Sequence, residues 1–479
     1  MKVYSYRSIC IVILMLSVNY GCKKFVDLAS PTVVRTDQYF KTQADLTAAV
    51  NGMYSGLRGY YGGFYAVAEI PSDNTQANGY TLSTLPMDQL AWAVNTSNIS
   101  GNWSSSYAII ARANIILDKI DAVSMPDDLK AQYKGEAKFI RALMYFNLVQ
   151  FFGNIPLVVH EIKTEEEAYS YPQVPRQDVY DQVEADLKDA IQVLPATYSA
   201  DKVGKATKGA AQSLLGKVLV TNKQYSEAVP VLEAVVHSGT YSLLPDYADV
   251  FSVKNKNNAE TIFSVQYLGN SGYGEGSQFS IAFAPFGSGE EITSGGQPAS
   301  ANEGTLDLYN AFESGDLRRD VAIVQFPVTG VYYTRKYLDK PMAANEGGNN
   351  WIVMRYADVL LLYAEALNET GATETAIDPL NEVRDRADIP LLSGLDQSSL
   401  RTIIQKERRV ELCFEGHRWF DLLRTETMLS TMTAYKEKYS VAGGYDVKNY
   451  EVTPNKILFP IPFNETSLNP KLVQNPGYN

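Results

Sequence analysis

Glu407–Arg424 reads ERRVELCFEGHRWFDLLR, and the rest of the chain is organised around it. It is the densest mixture of charge and large apolar side chains in the sequence. Leu400, Ile403, Ile404, Val410, Cys413 and Phe414 recur at helical spacing, so one face of this stretch is core. Glu407, Arg408, Arg409, Glu411 and Glu415 fill much of the remaining surface. Arg408 and Glu411 stand at i,i+3, as do Glu415 and Arg418, close enough to pair on a helix. Gly416 is expected to break that helix, and His417–Arg424 to start another through Trp419, Phe420, Leu422 and Leu423. Acids, a histidine and arginines together resemble an active site. The plainer reading is a knot of ion pairs and aromatic rings that packs the last helices against the body. It is preferred, because structural ion-pair networks imitate catalytic clusters.

The chain has 479 residues and is 45% hydrophobic, enough for a large core in one big domain or two to three ordinary ones. A net charge of −12 without basic blocks argues against nucleic acid and against an electrostatic hold on anionic lipid. Lys2 and Arg7 precede an apolar run from Ile9 to Leu16, a secretory leader too short to span a bilayer. Gly21-Cys22 ends it and resembles a bacterial lipobox, although Asn19 and Tyr20 depart from the common pattern. Cys22 is therefore the expected lipidation site, holding the protein to a membrane through an N-terminal lipid. The plainer alternative is ordinary cleavage beside an incidental cysteine. Cys10 lies in the leader and Cys413 on a helical core face, so no disulfide framework is expected.

Thr42 and Asp45 form a capping-box-like start, and Leu46, Ala49, Val50, Met53, Tyr54 and Leu57 follow as one amphipathic stripe. Gly59, Gly62 and Gly63 end it. Tyr65–Ile99 has no sustained period and reads as long loops with short helices. Gln132–Phe152 is apolar on most sides and predicts a buried helix, and Tyr180–Leu194 an amphipathic one. Lys208–Gly239 looks like a tetratricopeptide-type helix pair, with Gly216, Ala228 and Leu232 at the close approach. Trp351–Arg386 gives a second pair. Arg355, Asp358 and Glu365 share a face of its first helix and read as a satisfied polar network. Between the pairs, Tyr241–Asn350 is glycine-rich, with strand-like Thr261–Tyr267 and Tyr332-Tyr333-Thr334. The proline-rich C-terminus must be held by extended packing. The fold class is mainly α: tetratricopeptide-like helix pairs forming a scaffold, with an irregular loop-rich layer containing a few short strands.

Several of these stretches carry a resemblance. They are Phe40–Tyr54 (FKTQADLTAAVNGMY), Gly135–Val158 (GEAKFIRALMYFNLVQFFGNIPLV), Arg355–Asn368 (RYADVLLLYAEALN), Glu407–Arg424 and Leu458–Tyr478. In this order they resemble the SusD/RagB family of outer-membrane nutrient-binding lipoproteins. The resemblance implies residues 1–21 as signal peptide, 22–41 as lipidated N-terminus and tether, and 42–479 as a single SusD-like domain. Within that domain the scaffold takes about 42–240 and 351–440, and the irregular layer about 65–100 and 241–350. The resemblance also implies a lid on a SusC-like TonB-dependent outer-membrane transporter, and binding of a glycan without chemistry. The matching motifs are fold motifs. The family's ligand site lies on variable loops, so no site residue is carried over from it.

A sugar offers C–H groups on its face and hydroxyls on its rim, so binding needs flat aromatic surface beside Asp, Asn, Gln or Arg. Trp92 with Asp73, Asn74, Tyr80 and Asn95 has this mix on one irregular stretch. Tyr273, Phe286 and Trp351 are further aromatic candidates, and each of these aromatics has an alternative as a buried anchor. An enzyme is the competing class. A glycosidase needs two carboxylates about 5 to 9 Å apart, and Asp73, Glu290 and Glu291 lie in loops. However, the chain has no G-x-S-x-G, H-E-x-x-H or P-loop motif, and His160, His237 and His417 lack metal-ligand spacing. No catalytic residue, metal or cofactor is expected. A peptide-binding helical-repeat scaffold is the third class.

Overall fold

Helix α1 (Gln43–Gly62) starts where the sequence puts it. The Thr42 hydroxyl accepts the Asp45 N–H at 3.3 Å, and the Asp45 carboxylate accepts the Thr42 N–H at 2.8 Å. Its buried side is Leu46, Val50, Met53 and Leu57. The computed structural model describes residues 39–77, 82–440 and 449–478. The leader, Cys22 and Tyr80 lie outside the described residues.

Among the described residues ten further helices of more than six residues follow: α2 (Ser97–Lys119), α3 (Asp127–Phe152), α4 (Arg176–Val193), α5 (Lys208–Thr221), α6 (Tyr225–Val236), α7 (Tyr356–Glu369), α8 (Thr373–Arg386), α9 (Gln397–Glu411), α10 (Arg418–Arg424) and α11 (Met428–Ser440). From α1 to α8 each packs on the next, and α9 packs on α7. This is a solenoid of helix pairs, as the sequence predicts. Small residues set the tightest approaches. A Cβ at Gly216 of α5 would overlap Leu232 of α6, and one at Gly135 of α3 would overlap Val193 of α4.

Helices α6 and α7 touch although residues 237–355 separate them in sequence. That excursion builds the second layer. Strands β1 (Thr75–Gln76), β3 (Glu303–Gly304), β5 (Tyr332–Tyr333) and β4 (Val324–Gln325) pair antiparallel in that order. Strands β2 (Thr261–Val265) and β6 (Trp351–Arg355) make a separate antiparallel ribbon, with Val265 opposite Trp351. Trp351–Arg355 is thus a strand rather than the start of a helix. Its run of Trp, Ile, Val and Met suits a pleated, buried surface, and the helix begins only at Tyr356.

The stretch that opened the sequence reading is the weld between the two layers. Arg355, at the end of β6, donates to Glu260 at 2.7 Å, to Glu415 at 2.7 Å and to Glu411. Arg318 of the second layer pairs with Asp316 at 2.7 Å and with Glu407 and Glu411. Lys336 pairs with Glu415 at 2.6 Å, and Arg386 of α8 with Glu260 and Glu411. All of these side chains are buried. The expected i,i+3 pairs do not form. Arg408 instead meets Asp358 at 2.8 Å and Asp421 at 3.1 Å, and Arg418 meets Asp73 at 2.7 Å. Glu411 and Glu415 are claimed by arginines and a lysine from other elements, which satisfy them more fully in the dry interior than a neighbour on their own helix. Asp358 and Glu365 are satisfied as expected, by Lys217 and Arg408 and by Arg424. The break falls at Leu412–His417, where Phe414 (φ +66°) and Gly416 (φ +81°) are both left-handed. A Cβ at Gly416 would sit 2.8 Å from the Phe64 ring.

Candidate functional site

The sequence candidates divide sharply by burial. Trp92 is only 2% exposed. Its Nε1–H donates to the Tyr478 hydroxyl at 2.6 Å, and its ring meets Trp419 and Phe459 edge-on at 6.0 and 4.9 Å. Trp351 is fully buried and stacks on Tyr337 at 5.7 Å. Both are candidates for ligand surface with a buried anchor as the alternative, and the structure places both in the core, where aromatic rings from several elements pack on them. Asp73 is buried between Arg418 at 2.7 Å and Arg409 at 2.9 Å. Burial raises its pKa, and the two guanidiniums more than reverse this, to about 2. The Asn74 side-chain oxygen accepts from Arg409 at 2.8 Å, and its backbone carbonyl accepts the Thr305 N–H. Asp73 and Asn74 therefore anchor β1 to the α9–α10 turn and do not face a ligand.

Three candidates remain outside. Asn95 is exposed beside the C-terminal segment, where the Phe463 N–H donates to the Val94 carbonyl at 2.9 Å. Tyr273 is 87% exposed and Phe286 45% exposed, both in the second layer. The segments that carry Tyr273 and Phe286 are both fixed at the C-terminal end of α1, through Tyr267 and Phe283, and Asn95 lies on another segment.

Tyr273 stands on a tip made by three left-handed residues, Asn270 (φ +54°), Gly272 (φ +69°) and Gly274 (φ +70°). The tip is tied to the neighbouring loop. Asn270 N–H donates to the Glu346 carbonyl at 2.9 Å, and Gly272 N–H to the Glu346 carboxylate at 3.1 Å. Its base is fixed to α1, where the Tyr267 hydroxyl donates to the Arg58 carbonyl at 2.9 Å and Arg58 approaches Glu275 at 3.5 Å. Phe286 follows the short helix Phe279–Phe283, whose Phe283 ring meets Tyr65 edge-on at 5.0 Å.

The end of α1 near these supports exposes glycines. Gly59, Gly62 and Gly63 are exposed, and a Cβ at Gly59 or Gly63 would meet nothing within 4 Å. The sequence reading took these glycines only as a helix terminator. The run Gly59-Tyr-Tyr-Gly62-Gly63 also carries the signal of an open floor, because glycines on the outer face of a helix leave it without side chains. An exposed glycine surface and two exposed aromatic rings on segments fixed near it are the elements that suit a flat apolar ring face. The described residues hold no group of His, Cys, Asp and Glu able to bind a metal.

Comparison with known proteins gives the arrangement a family. A model of the SusD family matches residues 320–478, and a model described as "Starch-binding associating with outer membrane" matches residues 24–220. The chain belongs to the SusD/RagB family. It is similar to SusD-like protein P2 of Formosa agariphila, 27% identical over 93% of this chain and 95% of that one. Among solved structures, a "Laminarin binding SusD-like protein" is 28% identical and superposes with a TM-score of 0.78, covering 91% of this chain and all of that one. A SusD superfamily protein from Parabacteroides distasonis is 26% identical with a TM-score of 0.80, over 91% of this chain and 99% of that one. In this SusD/RagB chain, the family-matching motifs build the scaffold and the weld, whereas the exposed aromatics lie between the two matched ranges.

Proposed function

We propose that this SusD/RagB protein binds a glycan without chemistry on the floor at the end of α1, between Tyr273 and Phe286. It then delivers the glycan to a SusC-like TonB-dependent transporter at the outer membrane, where the Cys22 lipid anchors it. The observation that carries the reading is two exposed rings, Tyr273 and Phe286, on segments whose Tyr267 and Phe283 are fixed at the end of α1, where Gly59, Gly62 and Gly63 are also exposed. The laminarin-binding neighbour and the starch-binding family model support the ligand class. The glycosidase alternative loses one of its carboxylates, since Asp73 is buried and ionised between two arginines.

The test is a panel of polysaccharides in native affinity gels, with the same mixtures assayed for new reducing ends. Retardation by one polysaccharide without products is the expected result. Tyr273→Ala with Phe286→Ala should abolish it. Gly59→Gln should weaken it while leaving the helix at least as stable, because glutamine is the better helix former. New reducing ends would replace the binding reading with an enzyme. Unchanged retardation in these variants would move the site off this floor. For the anchor, Cys22→Ala should release the protein from the membrane fraction, and continued pelleting would contradict it.

A further inference from the structure

A cavity of about 260 Å³ lies away from that floor, under the connector between α4 and α5. Its walls are the connector around Thr197 and Tyr198, the segment after α6 at Thr240 and Tyr241, the Asn257–Asn258 turn, and the edge of β2 from Thr261 to Ser264. Among the described residues strand β2 pairs only with β6, and its other edge has no partner strand there.

The chemistry of the lining is distinctive. Two half-buried tyrosines stand in it, each held by its hydroxyl. Tyr241 bonds to the Thr207 hydroxyl at 3.0 Å, and Tyr198 donates to the Ala206 carbonyl at 3.1 Å. Gly209 keeps Tyr241 in place, since a Cβ there would sit 2.5 Å from the Tyr241 hydroxyl oxygen. Asn257 and Asn258 also line it, with their amides bonded internally, Asn257 to the Gln266 side chain at 2.9 Å and Asn258 to the Val250 carbonyl at 3.1 Å. Thr197 and Thr240 are exposed at the rim. The only charged lining residue is Lys205, and its ammonium is neutralised by the buried Glu136 carboxylate at 3.2 Å. It also lies over the Tyr133 ring at 5.2 Å. The cavity therefore offers flat aromatic walls, hydroxyls at its rim and backbone groups, with no free charge. That set suits a neutral polyhydroxylated ring and discriminates against an anion or a cation. The volume is below the range of about 300–1,000 Å³ typical of drug-sized sites, so the ligand unit is small.

We infer that this cavity is a second carbohydrate subsite, which takes one sugar ring of a neutral glycan against Tyr241 and Tyr198. The choice of ligand class rests on the function proposed above. Ser264 lines the cavity, and Tyr273 stands further along the same segment, residues 264–273.

The purified protein carrying Tyr273→Ala and Phe286→Ala isolates the cavity from the floor. Maltotriose, cellotriose, laminaritriose, xylotriose and mannotriose are titrated against it by saturation-transfer NMR. At least one should still bind. Adding Tyr241→Ala should weaken that binding about tenfold, as loss of a central aromatic contact does. Thr197→Glu, an exposed position where the fold has nothing to lose, should weaken it too by placing charge at a neutral rim. Residual binding that neither change reduces would overturn the inference. So would binding by the unmodified protein that disappears entirely with Tyr273 and Phe286, an outcome that leaves the floor reading standing. No binding by the unmodified protein to any sugar would remove both.

Discussion

Residues 64–96 and 267–300 are both long connectors rich in polar and small residues, and they end up in opposite environments. Trp92 on the first is 2% exposed, and Tyr273 on the second is 87% exposed. The difference lies in what reaches each segment. The first runs from α1 to α2 and is gripped from the far end of the chain: Arg409 and Arg418 hold Asp73, and the Glu69 carboxylate accepts the Gly416 N–H at 2.6 Å. The second leaves the β2–β6 ribbon and is tied mainly by backbone bonds to a neighbouring loop, such as Ser277 with Gly347. A loop becomes interior when buried charges claim it and remains available for ligand when they do not.

The largest effects should come from the charges that do the claiming. Arg355→Ala leaves Glu260, Glu411 and Glu415 short of a buried partner. Breaking a buried pair in this way costs about 3–5 kcal/mol, and here one guanidinium serves three carboxylates. The expected result in urea denaturation is a large loss of midpoint or no folded protein. Arg58→Ala in the outward region removes a half-exposed contact to Glu275, and should shift stability by less than about 1 kcal/mol. Similar losses for both would contradict the contrast.

Next comes Trp92→Ala. Removing a ring packed against Trp419 and Phe459 should cost about 3–5 kcal/mol, with glycan affinity per folded molecule unchanged. Tyr273→Ala should do the reverse, with stability within about 0.5 kcal/mol of the parent and affinity lost.

This pair also marks what was legible in the sequence. The helix stripes were, because periodicity records the buried face directly: Leu46, Val50, Met53 and Leu57 need no knowledge of the rest of the chain. The close approach at Gly216 was legible for the same reason. The preference for a structural knot at Glu407–Arg424 also agrees with the structure, but its pairing was not legible. Arg418 meets Asp73 and Arg355 meets Glu260 across hundreds or tens of residues, and no local spacing encodes such partners. The inward turn of Trp92 was hidden likewise, since the rings that bury it, Trp419 and Phe459, and the hydroxyl of Tyr478 come from the end of the chain. Tyr273 and Phe286 were named on composition alone. The floor between them was missed because a glycine run reads as a helix stop before it reads as a surface.

The smallest effect separates the two kinds of buried acid that grip residues 64–96. Asp73 is ionised, whereas burial, reinforced by Glu415, pushes the Glu69 pKa up to about 8 despite the Gly416 N–H and Lys336. Between pH 4.5 and 8 the folded chain therefore keeps a proton on Glu69 that the unfolded chain has released. Stability from this group is fully present below the unfolded value and is lost as pH rises through 8. For Asp73 the sign is opposite: its contribution is present above about 3.8 and is lost as pH falls through 2. Glu69→Gln keeps an oxygen for the Gly416 N–H and cannot ionise, so it should flatten the decline in urea midpoint between pH 5 and 8. Asp88, which accepts from the Tyr450 hydroxyl at 2.7 Å and is pushed up to about 7 by burial, contributes a decline that overlaps this window up to about pH 7. Part of the slope should therefore survive Glu69→Gln and disappear only when Asp88→Asn is added. A slope unchanged by both substitutions would mean that these acids are already ionised in the folded protein. The inward loop would then be held by charge pairs alone.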